Sequence, residues 1–312
     1  MSNSNEVNTG IVEFDVEHML SLYALGYCTL DAKLIYEESA IGAMADHINR
    51  SHIYLIGEIP IAEQTNASFN QNVLTLNFKF REQEHKLDWQ VPDGSTLREE
   101  NDRCFIESPD GKHYWPDSLS ITTRLSWAAD GYPFKVKYIG QAYGKNGSRN
   151  AIDRLLKHET LQKISLKGTP DGYKLQLILL ELEKNNRIMT TFNPDGQNND
   201  DGSRIQSGLD KLFDTTHAEQ ISIFEAAFIR YFYPDYNKEF KDSFPSTKLK
   251  ILQDCYKKDF QQVAAEICID NLPFQLYSDS VEPLHEHIAL FDLHKDSNRR
   301  AFFSMPRNKD KE

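Results

Sequence analysis

Two short stretches of the chain set chemically capable side chains at helical spacing. Within Lys137–Glu159, Arg154 and His158 are one helical turn apart, so they share a face with about 40° between them, while Ile152, Leu155 and Leu156 fall on the opposite face. Side chains on one helix face can converge on a single ligand. The same pair also suits the solvent face of an amphipathic helix. In the second stretch, Glu225 stands inside an apolar stripe formed by Ile221, Phe224, Phe228, Ile229 and Phe232. An ionised carboxylate on a buried face is costly unless it is paired or coordinates a cation. Glu225 therefore reads as the partner of a structural arginine, as a residue at the edge of the core, or as a catalytic metal ligand.

Charge distribution bears on the first stretch. The 312 residues carry 35 Lys+Arg against 47 Asp+Glu, a net charge of −12, which argues against indiscriminate binding of nucleic acid over the whole surface. Between Lys135 and Lys174 the balance reverses: nine basic residues meet only Asp153, Glu159 and Asp171. A cationic segment on an anionic body is either a solvated face or a local phosphate site. Composition, 39% hydrophobic and 26% charged, is that of a globular protein. No apolar run of about 18 residues is present, so no membrane-spanning helix is expected. The N-terminal MSNSNEVNTG lacks a basic start and an apolar core, and Cys28, Cys104, Cys255 and Cys268 form no CxxC pair; a reducing cytoplasm is the expected setting.

These candidates need elements to hold them. Residues 15–50 mix helical and turn signals, with a short helix over SAIGAMADHINR started by Ser39. SHIYLIGEIPI, NVLTLNFKF, HKLDWQVPDG and RCFIESPDGKHYWP read as strands, the first two separated by the polar AEQTNASFNQ. SLSITTRLSW and FKVKYIGQAY read as two more strands, followed by the glycine-bearing GKNGS and a helix starting near Ser148 or Asn150. YKLQLILLELEKN is a strongly apolar strand, and NPDGQNNDDGSRIQSG carries no apolar period and is expected to be a mobile loop. The helix over TTHAEQISIFEAAFIRYFYP is marked by a Thr216/Glu219 capping box and stopped by Pro234. A further helix near Thr247–Phe260 and the extended QQVAAEICI and HEHIALFDLH complete the chain. The division expected is a β-rich N-terminal domain over 1–117, a central domain over 118–240 and a C-terminal α/β extension over 241–312.

The central segment resembles a known family. YIG at Tyr138–Gly140, Arg154 and His158 after it, and EAAFIRYFYPDYN from Glu225 to Asn237 occur in the order of the GIY-YIG nuclease domain: strand, YIG strand, helix with an arginine, third strand, then a helix with a glutamate and a Pro-x-x-Asn ending. The resemblance covers roughly residues 118–240. It implies an α+β fold with a three-stranded antiparallel sheet flanked by helices, β-rich N-terminal and mixed α/β C-terminal additions, and metal-dependent hydrolysis of phosphodiesters in DNA, in restriction, phage defence or repair. By the same resemblance Glu225 would hold Mg²⁺ or another divalent cation such as Mn²⁺, Arg154 would contact the phosphate, and Tyr138 would orient or deprotonate the attacking water. His158 would act as base or relay, and Asn237 would bridge the ends of the site. A free phenol has a pKa near 10, so Tyr138 needs nearby positive charge for that role. Lys145, Arg149 and Lys157 are plausible phosphate contacts. The family places a second tyrosine a strand and a turn before YIG; here Trp127 holds the position 11 residues before Tyr138, and indole donates a hydrogen bond but accepts none. Tyr132 and Tyr114 are the other candidates for that role. The substitution opens an alternative, a degenerate module that binds nucleic acid without cutting it; a β-rich interaction protein is a third reading. The acidic flanks would then serve selectivity or a protein partner.

Other candidates carry less. His285 and His287 form an HxH near His294, a pattern that binds metal on a strand but also occurs on plain surface strands. Trp89 and Trp115 could stack on bases, but core packing is the favoured reading.

Overall fold

The computed structural model describes residues 13–100, 103–144, 151–157, 159–185, 187–295 and 299. The chain runs through β1 (Val16–Asp31), α1 (Glu38–Ala43), α2 (Ala45–Arg50) and β2 (Ile53–Pro60). Two three-stranded antiparallel sheets follow: β3 (Glu63–Asn70), β4 (Val73–Phe80) and β5 (Gln83–Gln90), then β6 (Thr96–Glu100), β7 (Arg103–Glu107) and β8 (His113–Tyr114). Next come α3 (Ser118–Ala128), β9 (Tyr132–Gln141), α4 (Ala151–Leu155), α5 (Glu159–Lys167), β10 (Tyr173–Leu182), β11 (Arg187–Phe192), α6 (Ser203–Asp214) and α7 (His217–Phe232). α8 (Gln253–Lys257), β12 (Gln262–Cys268), β13 (Phe274–Ser278), β14 (Val281–Leu284) and β15 (Glu286–Asp292) complete the described elements.

One nine-stranded mixed sheet organises the fold, in the order β14-β13-β9-β2-β10-β1-β12-β15 with β11 paired to β1. Its strands come from all three sequence intervals, so the sheet does not divide along them. β2 lies antiparallel to both β9 and β10, while the β1–β12 and β9–β13 pairs are parallel. Both faces are covered, which explains the near-continuous apolar runs of β2 and β10. On β2, Ile53, Leu55 and Ile59 join the core under α7, whereas Tyr54 and Ile56 join a second core under α2, α4 and α5.

Two bulges re-aim side chains, because one extra residue reverses the alternation beyond it. In β1 the shift between Ala24 and Gly26 moves the buried even positions from the α7 side (Leu20, Leu22, Ala24) to the other side (Cys28, Leu30). In β9 the register steps from Val136 to Tyr138 against consecutive Ile56 and Gly57 of β2. Tyr132, Phe134 and Val136 face the α7 core, but beyond the extra residue Ile139 takes that face and Tyr138 turns to the other.

Several expected elements differ. SLSITTRLSW is the helix α3, not a strand: Asp117 caps it by accepting from the Ser120 backbone N–H at 2.9 Å, and Thr122 and Thr123 donate to carbonyls one turn back. The expected three-stranded antiparallel sheet therefore lacks that member, and β2 fills the place between β9 and β10. Residues 16–31 form one strand, the polar 63–70 stretch is a strand of a hairpin with one exposed face, and the expected loop over 193–208 gives way to α6 from Ser203. α7 agrees with its signals: Thr216 accepts from the Glu219 N–H, and Tyr233 ends the helix in a left-handed conformation ahead of Pro234. Its buried Phe224, Phe228 and Phe232 each contribute about 1.5–3 kcal/mol, so α7 is a firm mount for whatever projects from it.

Candidate functional site

The site forms where β9 loses a neighbour. β13 pairs with β9 only from Tyr132 to Lys135. Beyond that the open edge is taken by the turn after α7: the Tyr236 N–H donates to Lys137 O at 3.1 Å. The Asn237 amide then mimics a strand, its Oδ1 accepting from Ile139 N at 2.9 Å and its Nδ2 donating to Ile139 O at 2.8 Å. Asn237 thus ties the end of α7 to the YIG strand and is itself buried.

On the face turned by the bulge, Tyr138 meets Tyr54 from β2. Their ring centroids are 6.2 Å apart at 31°, and Tyr54 is 1% exposed. Tyr54 pairs directly with Gly140 across the ladder, and a Cβ at Gly140 would lie 2.5 Å from the Tyr54 hydroxyl oxygen and 2.8 Å from Tyr138. The glycine is therefore a requirement of packing two phenol rings over one strand position. The Tyr54 hydroxyl hydrogen-bonds Tyr138 and the guanidinium of Arg154, which projects from α4. Burial pushes the Tyr138 phenol upward and the neighbouring Glu225 charge adds to it, while Arg154 and the Tyr54 hydrogen bond pull it down. Without further positive charge Tyr138 stays protonated.

Glu225 approaches the same edge from α7. It is only 9% exposed, and burial drives its carboxyl up to about 7 from an ordinary 4.5. Gln141, the residue after Gly140, opposes this: its Nε2 donates to Glu225 Oε2 at 2.7 Å, with Ser222 Oγ at 3.5 Å. Glu239 raises the carboxyl further by like charge. Tyr138, Glu225 and Glu239 line one cleft of about 660 Å³, and Arg154 and Gln141 line an adjoining hollow of about 350 Å³.

The donor set can be weighed against a metal. Glu225 is buried, has one oxygen engaged by Gln141, and faces a cleft. Among the described residues no group of three or more His, Cys, Asp or Glu side chains is gathered. A single buried, cleft-facing carboxylate is a donor that Mg²⁺ can use, since that ion keeps several waters and takes one or two carboxylates plus substrate phosphate.

The residues expected from sequence thus fall into three groups. Tyr138, Arg154, Glu225 and Asn237 are brought together. Lys157 is exposed on the turn after α4, and His158, Lys145 and Arg149 lie outside the described residues. Trp127 is not part of the site: it is 77% exposed on α3, because the segment expected as a strand is a helix whose buried positions are Leu125 and Ser126. Neither reserve tyrosine fills its place. Tyr132 is buried with its hydroxyl donating to Pro60 O at 2.7 Å, and Tyr114 lies on β8 in a separate sheet. The residue that joins Tyr138 is Tyr54, overlooked because it precedes Tyr138 by some eighty positions. Its signal was a lone tyrosine followed closely by glycine, Tyr54-Leu-Ile-Gly57, in an otherwise aliphatic strand, as in Tyr138-Ile-Gly140.

His287 and the two tryptophans are structural. His287 is buried with Nε2 near the carbonyls of Leu276 and Leu284 and Nδ1 near the Tyr231 hydroxyl, leaving no nitrogen for a metal; His294 pairs with Asp259. Trp89 and Trp115 pack against the core, Trp89 beneath the Arg124 guanidinium. No protein-family model, curated protein or solved structure matches the chain.

Proposed function

We propose that this protein is a metal-dependent endonuclease that hydrolyses phosphodiester bonds of DNA, with a GIY-YIG-like core whose first tyrosine is Tyr54. The observation that carries the reading is the gathering of Tyr54, Tyr138 and Arg154 beside one buried, cleft-facing carboxylate, Glu225. The β9-β2-β10 order supports the resemblance, with the 61–131 segment as an insertion between the two tyrosine strands. The degenerate-module reading rested on Trp127, which lies on a helix away from these groups.

The roles follow from chemistry at named atoms. Arg154 carries a permanent charge at the mouth of the site, where it would hold the scissile phosphate and stabilise charge developing on it. Tyr138, protonated in the metal-free site, would orient the attacking water, and would accept its proton only after the charge of a bound cation had released the phenol's own proton to solvent, a shift that the Tyr54 hydrogen bond and Arg154 assist. Gln141 holds the Glu225 carboxylate through its side-chain amide at the wall of the cleft. A divalent cation, Mg²⁺ by the donor set, would polarise the phosphate and stabilise the leaving oxygen when bound at Glu225. Asn237 keeps α7 and β9 in register, so the carboxylate and the phenol keep their separation. Four free cysteines accord with a reducing compartment, the cytoplasm.

The test is incubation with supercoiled plasmid and with single-stranded DNA, in Mg²⁺ or chelator, beside Glu225→Gln and Arg154→Ala. Metal-dependent nicking lost in both variants is expected. Absence of nicking by the native chain, or nicking that survives Glu225→Gln, overturns the assignment.

A further inference from the structure

The basic segment noted in the sequence is only partly available to a ligand. Lys135 is tied to Asp279 at 2.6 Å, Lys137 to Asp235 at 2.5 Å, and Lys174 to Asp31 at 3.1 Å. Lys163 and Lys167 behave differently: among the described residues neither forms an ion pair. Both lie on α5, with Leu161 and Ile164 buried beneath them, and with Thr160 they make the face at i, i+3 and i+7 that forms one wall of the Glu225 cleft. Lys238 lines the same cleft from the turn after α7 and also forms no ion pair among the described residues. The Lys167 ammonium stands 5.4 Å over the Tyr236 ring, a cation–π contact that holds it at the cleft. The acidic lining, Glu225 and Glu239 together with Glu159, would itself attract cations, so the lysines answer a ligand carrying several negative charges and a metal together.

Arg154 does not line this cleft but the neighbouring hollow, with Gln141, Tyr143 and Ser222. Gln141, hydrogen-bonded to Glu225, lines the Arg154 hollow while Glu225 lines the α5 cleft, so the two recesses lie on either side of this contact.

We infer that Lys163, Lys167 and Lys238 form a track for the backbone phosphates beyond the scissile one, on the Glu225 side, so that the substrate is a polynucleotide continuing past the cleaved bond rather than a small phosphodiester. The inference rests on the nuclease reading for the identity of the scissile bond. Tyr236 is a positioning residue that acts through Lys167.

The experiment measures anisotropy of a fluorescein-labelled 20-nucleotide single strand in chelator, from 0.1 to 1 M salt, in a Glu225→Gln background with and without Lys163→Gln/Lys167→Gln. Each lost phosphate contact lowers the slope of log affinity against log salt by about 0.7, so the pair lowers it by about 1.4, with affinity near 0.15 M salt falling about tenfold. Tyr236→Leu gives a smaller loss that disappears when Lys167 is already replaced. Alongside, the Lys163→Gln/Lys167→Gln variant with native Glu225 is assayed in Mg²⁺ on plasmid and on bis(p-nitrophenyl) phosphate. The expectation is a raised KM on plasmid with the small diester unaffected. Unchanged affinity and slope in the lysine variant overturns the track, and if plasmid is still cut the nuclease reading stands. Loss of binding with the lysines, when no form cuts plasmid, supports the track and removes the nuclease reading. No binding by the parent protein overturns the track.

Discussion

Replacing Gln141 by Leu removes the side-chain hydrogen bond to the buried Glu225 carboxylate, the largest of the contacts that favour its ionised form, and leaves the Gln141 backbone bond and the Arg154 charge in place. The carboxyl already titrates near 7 with that bond in place, because burial outweighs it. A hydrogen bond to a charged group contributes about 1.5–3 kcal/mol, and about 1.4 kcal/mol is a factor of ten, so its loss moves the midpoint up by about one to two pH units. At pH 7 the native carboxyl is about half ionised, and the variant's about 1–9% ionised on the same arithmetic. A cation bound through this carboxylate must displace its proton. Mg²⁺ or Mn²⁺ affinity at pH 7 should therefore fall about five- to fiftyfold in Gln141→Leu and recover toward the native value above pH 9. Calorimetric titration with Mn²⁺ between pH 6 and 9.5 reads both affinity and the protons released. Equal affinities at every pH, or a deficit that does not shrink as pH rises, would refute the role given to Gln141.

Other expectations concern fold and site together. The folded carboxyl of Glu225 lies above its ordinary value, so the stability it provides is complete below about pH 4.5 and is lost as pH rises to about 7; the loss is about 3 kcal/mol in metal-free protein. Urea unfolding in chelator should accordingly find Glu225→Gln more stable than the native chain at pH 8 and not at pH 4.5, with added Mg²⁺ stabilising only the native chain. Gly140→Ala drives a methyl group into the Tyr54 and Tyr138 rings and should cost about 1–3 kcal/mol in thermal unfolding, with nicking reduced more than the fold. Asn237→Ala strands the Ile139 N–H and C=O at the buried edge and should cost about 2–5 kcal/mol in chemical denaturation.

The placement of Glu225 was legible because a helix shows its faces through a 3.6-residue period and Thr216 and Pro234 mark its ends. Gly140 and Asn237 stood out only through the resemblance, and their physical reasons, two rings over one glycine and an amide completing a sheet edge, required strand neighbours that sequence order conceals. Tyr54 was hidden for the same reason: β2 precedes β9 by two small sheets and a helix, yet is its ladder partner. Trp127 misled because Ile121, Thr122 and Thr123 favour a strand, whereas the Asp117 cap and threonine hydroxyl bonds to carbonyls one turn back accompany a helix. The bulge that turns Tyr138 toward Tyr54 falls where the Phe134-Lys135-Val136-Lys137 alternation of β9 gives way to consecutive Tyr138 and Ile139, a break that alone does not say which neighbour Tyr138 meets. Charge counting found the basic segment but not that three of its lysines are neutralised by Asp279, Asp235 and Asp31 from distant parts of the chain.

The most direct measurement compares single-turnover nicking of supercoiled plasmid in Mg²⁺ by the native chain, Tyr54→Phe and Trp127→Phe. Tyr54→Phe removes one hydroxyl from a buried ring, and with it the hydrogen bonds to Tyr138 and Arg154, while leaving the packing of the ring over Gly140 intact. The account predicts Mg²⁺-dependent nicking by the native chain, a loss of about a hundredfold or more in Tyr54→Phe, in the range for removing a positioned acid–base or electrostatic group, and no change in Trp127→Phe. No metal-dependent nicking by the native chain, or a native rate in Tyr54→Phe, would contradict it.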